Sequence, residues 1–160
     1  MTRLTVSVQQ RLAAPVEDIW AVIDDTSRYA EWVDGALEVT THHGAATVGE
    51  TYSERNRTIG PLTTRSVWTV GKVEPRSLRV DSGTGFAPLH DMVNTFRFEP
   101  LGAEATLMTY RVDCRVGLGP LGRLIAPVLE KSLTGQFRRS MTTLESVVHA
   151  ERGIDQAGGL

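Results

Sequence analysis

Leu4, Val6 and Val8 alternate with Thr5, Ser7 and Gln9, so the chain opens with the period-two pattern of a half-buried strand. The period then lengthens. In "APVEDIWAVIDD" Ile19, Trp20 and Ile23 form an apolar helical face, Pro15 suits the first turn, and Glu17 and Asp18 complement the helix dipole. Asp25, Thr26 or Ser27 can cap a second short helix through "RYAEW" that ends near Gly35. Strand-like segments follow at 36–42, 49–59, 62–73, 78–84, 90–99 and 105–116, with turns expected at "GP", "EPRS" and "PLGAEA". In the last strand Met108, Tyr110, Val112, Cys114 and Val116 share one face, and Thr109, Arg111, Asp113 and Arg115 the other.

After "GLGP" the spacing changes to threes and fours. Leu121, Leu124, Ile125, Val128, Leu129, Leu133, Phe137, Met141, Leu144 and Val148 predict one stripe of a helix over 120–151. Pro120 suits its first position, and Pro127 is expected to kink or restart it. The order is one strand, two short helices, six strands and one long helix, which is an α+β layout. One domain over 1–152 is expected, with a loose tail over 153–160.

Two polar residues interrupt this apolar logic. In "HDMVNTFRF" Met92, Phe96 and Phe98 share a strand face, and period two puts His90 and Asn94 on that same face. Either neighbours satisfy them as buried polar groups, or they line a pocket. The strand over 49–59 has two registers. A two-residue loop at Gly60–Pro61 would turn Ser53, Arg55 and Arg57 inward with Trp68; a one-residue bulge would instead turn in Tyr52, Glu54 and Asn56. The cost of burying unpaired arginine favours the second. Glu54 is then the one carboxylate at an inward position that could do acid–base work.

The bulk numbers narrow the function classes. The chain has 160 residues, 41% hydrophobic and 22% charged, with net charge −2, so it carries no basic footprint for nucleic acid. A single cysteine, Cys114, excludes an intrachain disulfide, and its apolar flanks point to a core position. The adjacent His42 and His43 point to opposite strand faces, no Cys/His pair has ligand spacing, and no phosphate-binding or nucleophile-elbow motif occurs; no metal and no cofactor are expected. "MTRLTVSVQQR" lacks an apolar signal region, and no apolar run reaches membrane length, so a cytoplasmic protein without a transmembrane segment is expected, as a monomer or homodimer.

Three stretches, "APVEDIWAVIDDTSRYAEW", "VGKVEPRSLRV" and "YRVDCRVGLGPLGRLIAPVLEKSLTGQFRRSMTTLESVV", resemble the START-related helix-grip superfamily and its polyketide cyclase/dehydrase (SRPBCC) group. The resemblance implies a curved seven-stranded antiparallel sheet around the C-terminal helix, enclosing an elongated, largely apolar cavity. It also implies a binder of a hydrophobic small molecule of lipid, polyketide or isoprenoid type, with Trp32 at the cavity's helical end. Tyr52, Trp68, His90, Met92, Asn94, Phe96, Tyr110, Phe137 and Met141 are the further candidate ligand contacts. An aromatase/cyclase or dehydratase is the alternative. His90 would then be the base, and Tyr110 or Asn94 would donate to an enolate oxygen. A third reading is a protein-interaction module using the outer face of the sheet.

Overall fold

The computed structural model describes residues 1–42, 44–57 and 61–158. Strand β1 (Thr2–Leu12) leads into helix α1 (Val16–Ile23), a 3-10 turn (Thr26–Arg28) and the single-turn helix α2 (Tyr29–Trp32). Strands β2 (Ala36–Thr41), β3 (Thr51–Arg57), β4 (Thr63–Glu74), β5 (Leu78–Thr84), β6 (Leu89–Pro100) and β7 (Thr106–Val116) follow, then helix α3 (Pro120–Gly158). The strands form one antiparallel sheet in the order β1-β7-β6-β5-β4-β3-β2. The helix-grip architecture expected from the sequence is thus present. The expected Gly60–Pro61 turn, the strand end at Thr58 and Ile59, His43 and residues 159–160 fall wholly or partly outside the described residues.

Local chemistry sets the element ends. Pro15 stands just before α1 as its N-cap, rather than inside the first turn, and its carbonyl accepts from the backbone of Asp18 and Ile19. Asp25 caps the 3-10 turn through its carboxylate, which accepts from Ser27 N at 3.0 Å and Ser27 Oγ at 2.6 Å. α3 runs without interruption past Pro127 and beyond the expected end at Glu151, so the chain is helical over 153–158 where a loose tail was expected. Among the described residues no helix is long and apolar enough to cross a membrane.

The core lies between the concave face of the sheet and α3, where Phe137, Met141, Leu144 and Val148 are buried and Leu129 and Leu133 partly so. The front of the expected stripe is different. Leu121, Leu124 and Val128 are 53%, 74% and 69% exposed. At about 100° per residue Val128 lies on the opposite side of the helix from Phe137, so a run of threes and fours that long drifts off the buried face.

A charged cluster is buried where the sequence reading expected none. On β5, Arg79 and Asp81 are 1% and 0% exposed. Arg79 donates from Nε to both carboxylate oxygens of Asp81 at 3.1 and 3.0 Å, and from Nη2 to Asp81 Oδ2 at 2.6 Å and to the Tyr52 hydroxyl at 2.8 Å. Tyr52 in turn donates to Asp81 Oδ2 at 2.6 Å. Arg79 Nη1 reaches the carbonyl of Ile23, placing a cation at the negative end of α1 and tying that helix to β5 and β3.

Candidate functional site: an apolar cavity with a carboxyl group

A cavity of about 200 Å3 opens between the β3–β4 end of the sheet and the middle of α3. Tyr29 and Val33 close it from the side of α2, and Leu133, Gln136 and Phe137 from α3. Glu54, Asn56 and Arg57 of β3, Thr64 and Trp68 of β4, Met92 and Asn94 of β6 and Tyr110 of β7 line the sheet side. Phe86, Ala87 and Leu89 complete the wall where β5 passes into β6. A wider cleft of about 440 Å3 adjoins it, sharing Val33, Asp34, Gly35, Ala36, Arg57 and Gln136.

The facing of β3 follows from its register. Tyr52 pairs with Trp68, Glu54 with Ser66 and Asn56 with Thr64, which is the alternative that turns Tyr52, Glu54 and Asn56 inward. Glu54 is 2% exposed. Its Oε1 accepts from Trp68 Nε1 at 2.7 Å, while Oε2 is buried without a hydrogen-bond partner. Burial pushes this carboxyl up to about 7, against the opposing influence of the Trp68 hydrogen bond and the nearby Asn56 amide, which favour the charged form. Asn56 also donates to Ser66 Oγ at 2.7 Å. Asn94 is 3% exposed and, among the described residues, has no side-chain hydrogen bond, so its carboxamide is a second polar group in the cavity wall.

Aromatic rings form the rest of the wall. Tyr110 stacks on Phe137 with ring centroids 3.9 Å apart and planes 9° from parallel. Trp68 tilts against Phe86 at 4.9 Å and against Tyr29 at 6.2 Å. Burial raises the titration of the Tyr29 and Tyr110 hydroxyls, so both are neutral donors at physiological pH. The Trp68 ring lies over Gly83 of β5, where an added Cβ would come within 2.6 Å of its Cζ3 and 2.9 Å of Phe86 Cε2.

Of the ten residues expected at a site, Trp68, Met92, Asn94, Tyr110 and Phe137 border the cavity. Trp32, Tyr52, Phe96 and Met141 do not; they are packed into the core, Trp32 edge-on to Phe96 at 5.5 Å and Tyr52 beneath Arg79. Trp32 does border the adjoining cleft.

His90 is a correction. Between the pairs His90–Arg115 and Val93–Asp113 two residues of β6 oppose one of β7, and Asp91 takes a positive φ of 51°. This bulge shifts the alternation by one residue. His90 is exposed on the outer face and Leu89 takes the inward position. Asn94 thus borders the cavity and His90 does not, which leaves His90 unable to act as a base inside it.

Several lining residues carried no signal that the sequence reading used, among them Tyr29, Phe86, Leu89 and Gln136. Arg79 and Asp81 carried a misleading one. They alternate with Leu78 and Val80 on β5, a pattern that reads as a solvent face in the sequence, although in the structure that face is the buried one. Among the described residues no group of three or more His, Cys, Asp or Glu side chains is arranged to hold a metal ion. Cys114 is buried on β7, and burial raises its thiol.

Solved structures similar to this chain share its fold. One is the Zhui aromatase/cyclase from Streptomyces sp. R1128, at 20% identity, with 99% of each chain covered and a TM-score of 0.67. Others are a conserved protein from Geobacillus kaustophilus (16% identity, 92% of this chain and 96% of that one, TM-score 0.73) and a protein from Arthrobacter aurescens (19%, 92% and 87%, 0.70). No curated protein matches the chain. The sequence profile described as polyketide cyclase / dehydrase and lipid transport matches residues 3–149, nearly the whole chain, and with the sheet, the long helix and the cavity it identifies this protein as a member of that family.

Proposed function

We propose that this protein binds a hydrophobic small molecule of lipid, polyketide or isoprenoid type in the cavity between α3 and the sheet. The observation that carries the reading is the pairing of aromatic walls with two polar groups on lining residues: Glu54 Oε2, buried without a partner, and the Asn94 carboxamide, which makes no side-chain hydrogen bond among the described residues. Binding sites for small apolar molecules are built this way, with a few polar groups fixing orientation. A volume of about 200 Å3 exceeds the roughly 150 Å3 void that holds benzene and suits one substituted ring or two fused rings. A longer ligand would extend into the adjoining cleft beside Gln136 and Arg57. Organic extraction of the purified protein followed by mass spectrometry tests the reading. A co-purifying apolar compound in near-stoichiometric amount supports it. Extracts with no such compound, together with failure to take up any apolar probe, would remove it.

A second reading, an aromatase/cyclase or dehydratase acting on such a ligand, is favoured by one specific observation. Burial pushes the Glu54 carboxyl up to about 7, the range in which a carboxyl serves as general acid or base. The Tyr110 and Tyr29 hydroxyls, held neutral, are the available donors to an enolate oxygen. With a poly-β-ketone thioester analogue, Glu54→Gln would lower turnover by roughly 10²–10⁴-fold with binding retained. Equal rates for both proteins would eliminate Glu54 as the catalytic group.

A further inference from the structure

Glu54 offers a ligand something more specific than polarity. One of its oxygens is taken by the indole N–H of Trp68, and the other is buried and unpartnered, on a residue that lines the cavity. Its polar neighbours Trp68 and Asn56 both present N–H groups to it, which favour the charged form. The neighbouring amides do not bond to Oε2: Asn56 Nδ2 donates to Ser66 Oγ, Gln136 Nε2 donates to the carbonyl of Asp34, and Oε2 has no partner. The deficit at this end of the cavity is therefore a hydrogen-bond donor aimed at Glu54 Oε2.

We propose that the cavity selects ring compounds bearing a phenolic or enolic hydroxyl, which donates to Glu54 Oε2 while the rings lie among Trp68, Phe86 and Tyr110. The inference rests on the binding reading above and adds the chemistry of the ligand's polar end. A hydroxyl is neutral in water and costs little to bury once its hydrogen bond forms, whereas an ammonium would have to be stripped of its hydration. Donation to a carboxylate is charge-assisted and so stronger than to a neutral acceptor.

The selection is coupled to proton release. A donor ligand favours the ionised carboxylate, so affinity rises with pH as Glu54 loses its proton near 7. The ionisable groups around Glu54 are few. Tyr29 faces it from α2 and Tyr110 from β7; Tyr52 shares its strand and leads to Arg79 and Asp81 on β5; Arg57 borders the same cavity. The tyrosines stay neutral over this range and Arg79 stays paired with Asp81, so Glu54 is the group that titrates.

The test is equilibrium dialysis of the full chain with 2-naphthol and with naphthalene, at about pH 5.5 and about pH 8, where the carboxyl is protonated and ionised respectively. The expected result is that 2-naphthol binds about tenfold more tightly than naphthalene at the higher pH, with most of that preference lost at the lower. Glu54→Gln should bind both probes with a small preference that does not change with pH. Should that variant fold poorly, the wild-type comparison at two pH values decides alone. Equal affinities at the higher pH would overturn the donor inference and leave the binding reading standing. A preference for 2-naphthol that grows at the lower pH would also overturn it, because the protonated carboxyl would then be acting as the donor. Uptake of neither probe would overturn it as well, and the extraction experiment would then judge the binding reading separately.

Discussion

Asp81 is fully buried, with Arg79 engaging both of its oxygens and Tyr52 adding a further donor. Removing the cation alone would strand a buried carboxylate. Arg79→Met is expected to destabilise the fold by about 3–5 kcal/mol, and pairing it with Asp81→Leu should recover much of that loss. Chemical denaturation of the two variants checks this; an unaffected single variant would show that the Arg79–Asp81 pair does not hold the fold. His90 illustrates the reverse. Histidine on an apolar strand invites a catalytic reading, but here the side chain is exposed on the outer face of the sheet. His90→Gln should change stability by less than about 0.5 kcal/mol and leave ligand affinity and its pH dependence unchanged.

Strand β5 shapes the cavity through what it lacks. Gly83 lets the Trp68 ring lie close against the strand, and that position brings Nε1 to Glu54. Gly83→Ala would put a methyl group 2.6 Å from Cζ3, so the ring must move off β5 toward the cavity. A cost of about 1–3 kcal/mol is expected, together with weaker binding of any ring ligand. Denaturation and dialysis on the same variant separate the two effects. The elements themselves were legible from period alone: β7 alternates without interruption, and the buried residues of α3 from Phe137 to Val148 fall on one face. Legibility ended where the count of residues changes. The bulge at Asp91 inverts the phase of β6 before it reaches His90, and nothing in "HDM" announces an extra residue. On β3 both facings were open until the pairing of Tyr52 with Trp68 chose one. Arg79 was missed for another reason: a guanidinium reads as surface unless its partners, which come from three separate segments, are already known.

Across the whole molecule, the buried carboxyl of Glu54 ties stability to pH. Its ordinary value is 4.5 and the folded value about 7, so between these limits the unfolded chain has released a proton that the native state retains. Stability therefore falls as pH rises through that window, by roughly 3 kcal/mol in all if no other group compensates. The surface pair Arg111–Asp113 has the opposite sense and acts at the acid side, where solvent screens it. The denaturation midpoint of the wild type should drop between about pH 5 and pH 8, while that of Glu54→Gln stays level. Parallel curves for the two proteins would show that the carboxyl is ionised throughout. A ligand that donates to Glu54 would offset the loss, so the occupied protein should hold its midpoint at the higher pH.

The hydrogen bond between Trp68 and Glu54 has an optical consequence. The indole is a fluorophore, and its N–H meets the carboxyl whose charge changes near neutrality. Ionisation places a negative charge at the pyrrole edge of the ring and alters the wavelength and yield of its emission. Trp20 and Trp32 lie outside the cavity lining and serve as a constant background. The molecule thus contains its own reporter: an emission titration would read the protonation of one carboxyl without a label, and a ligand docking on Oε2 would displace the curve toward lower pH.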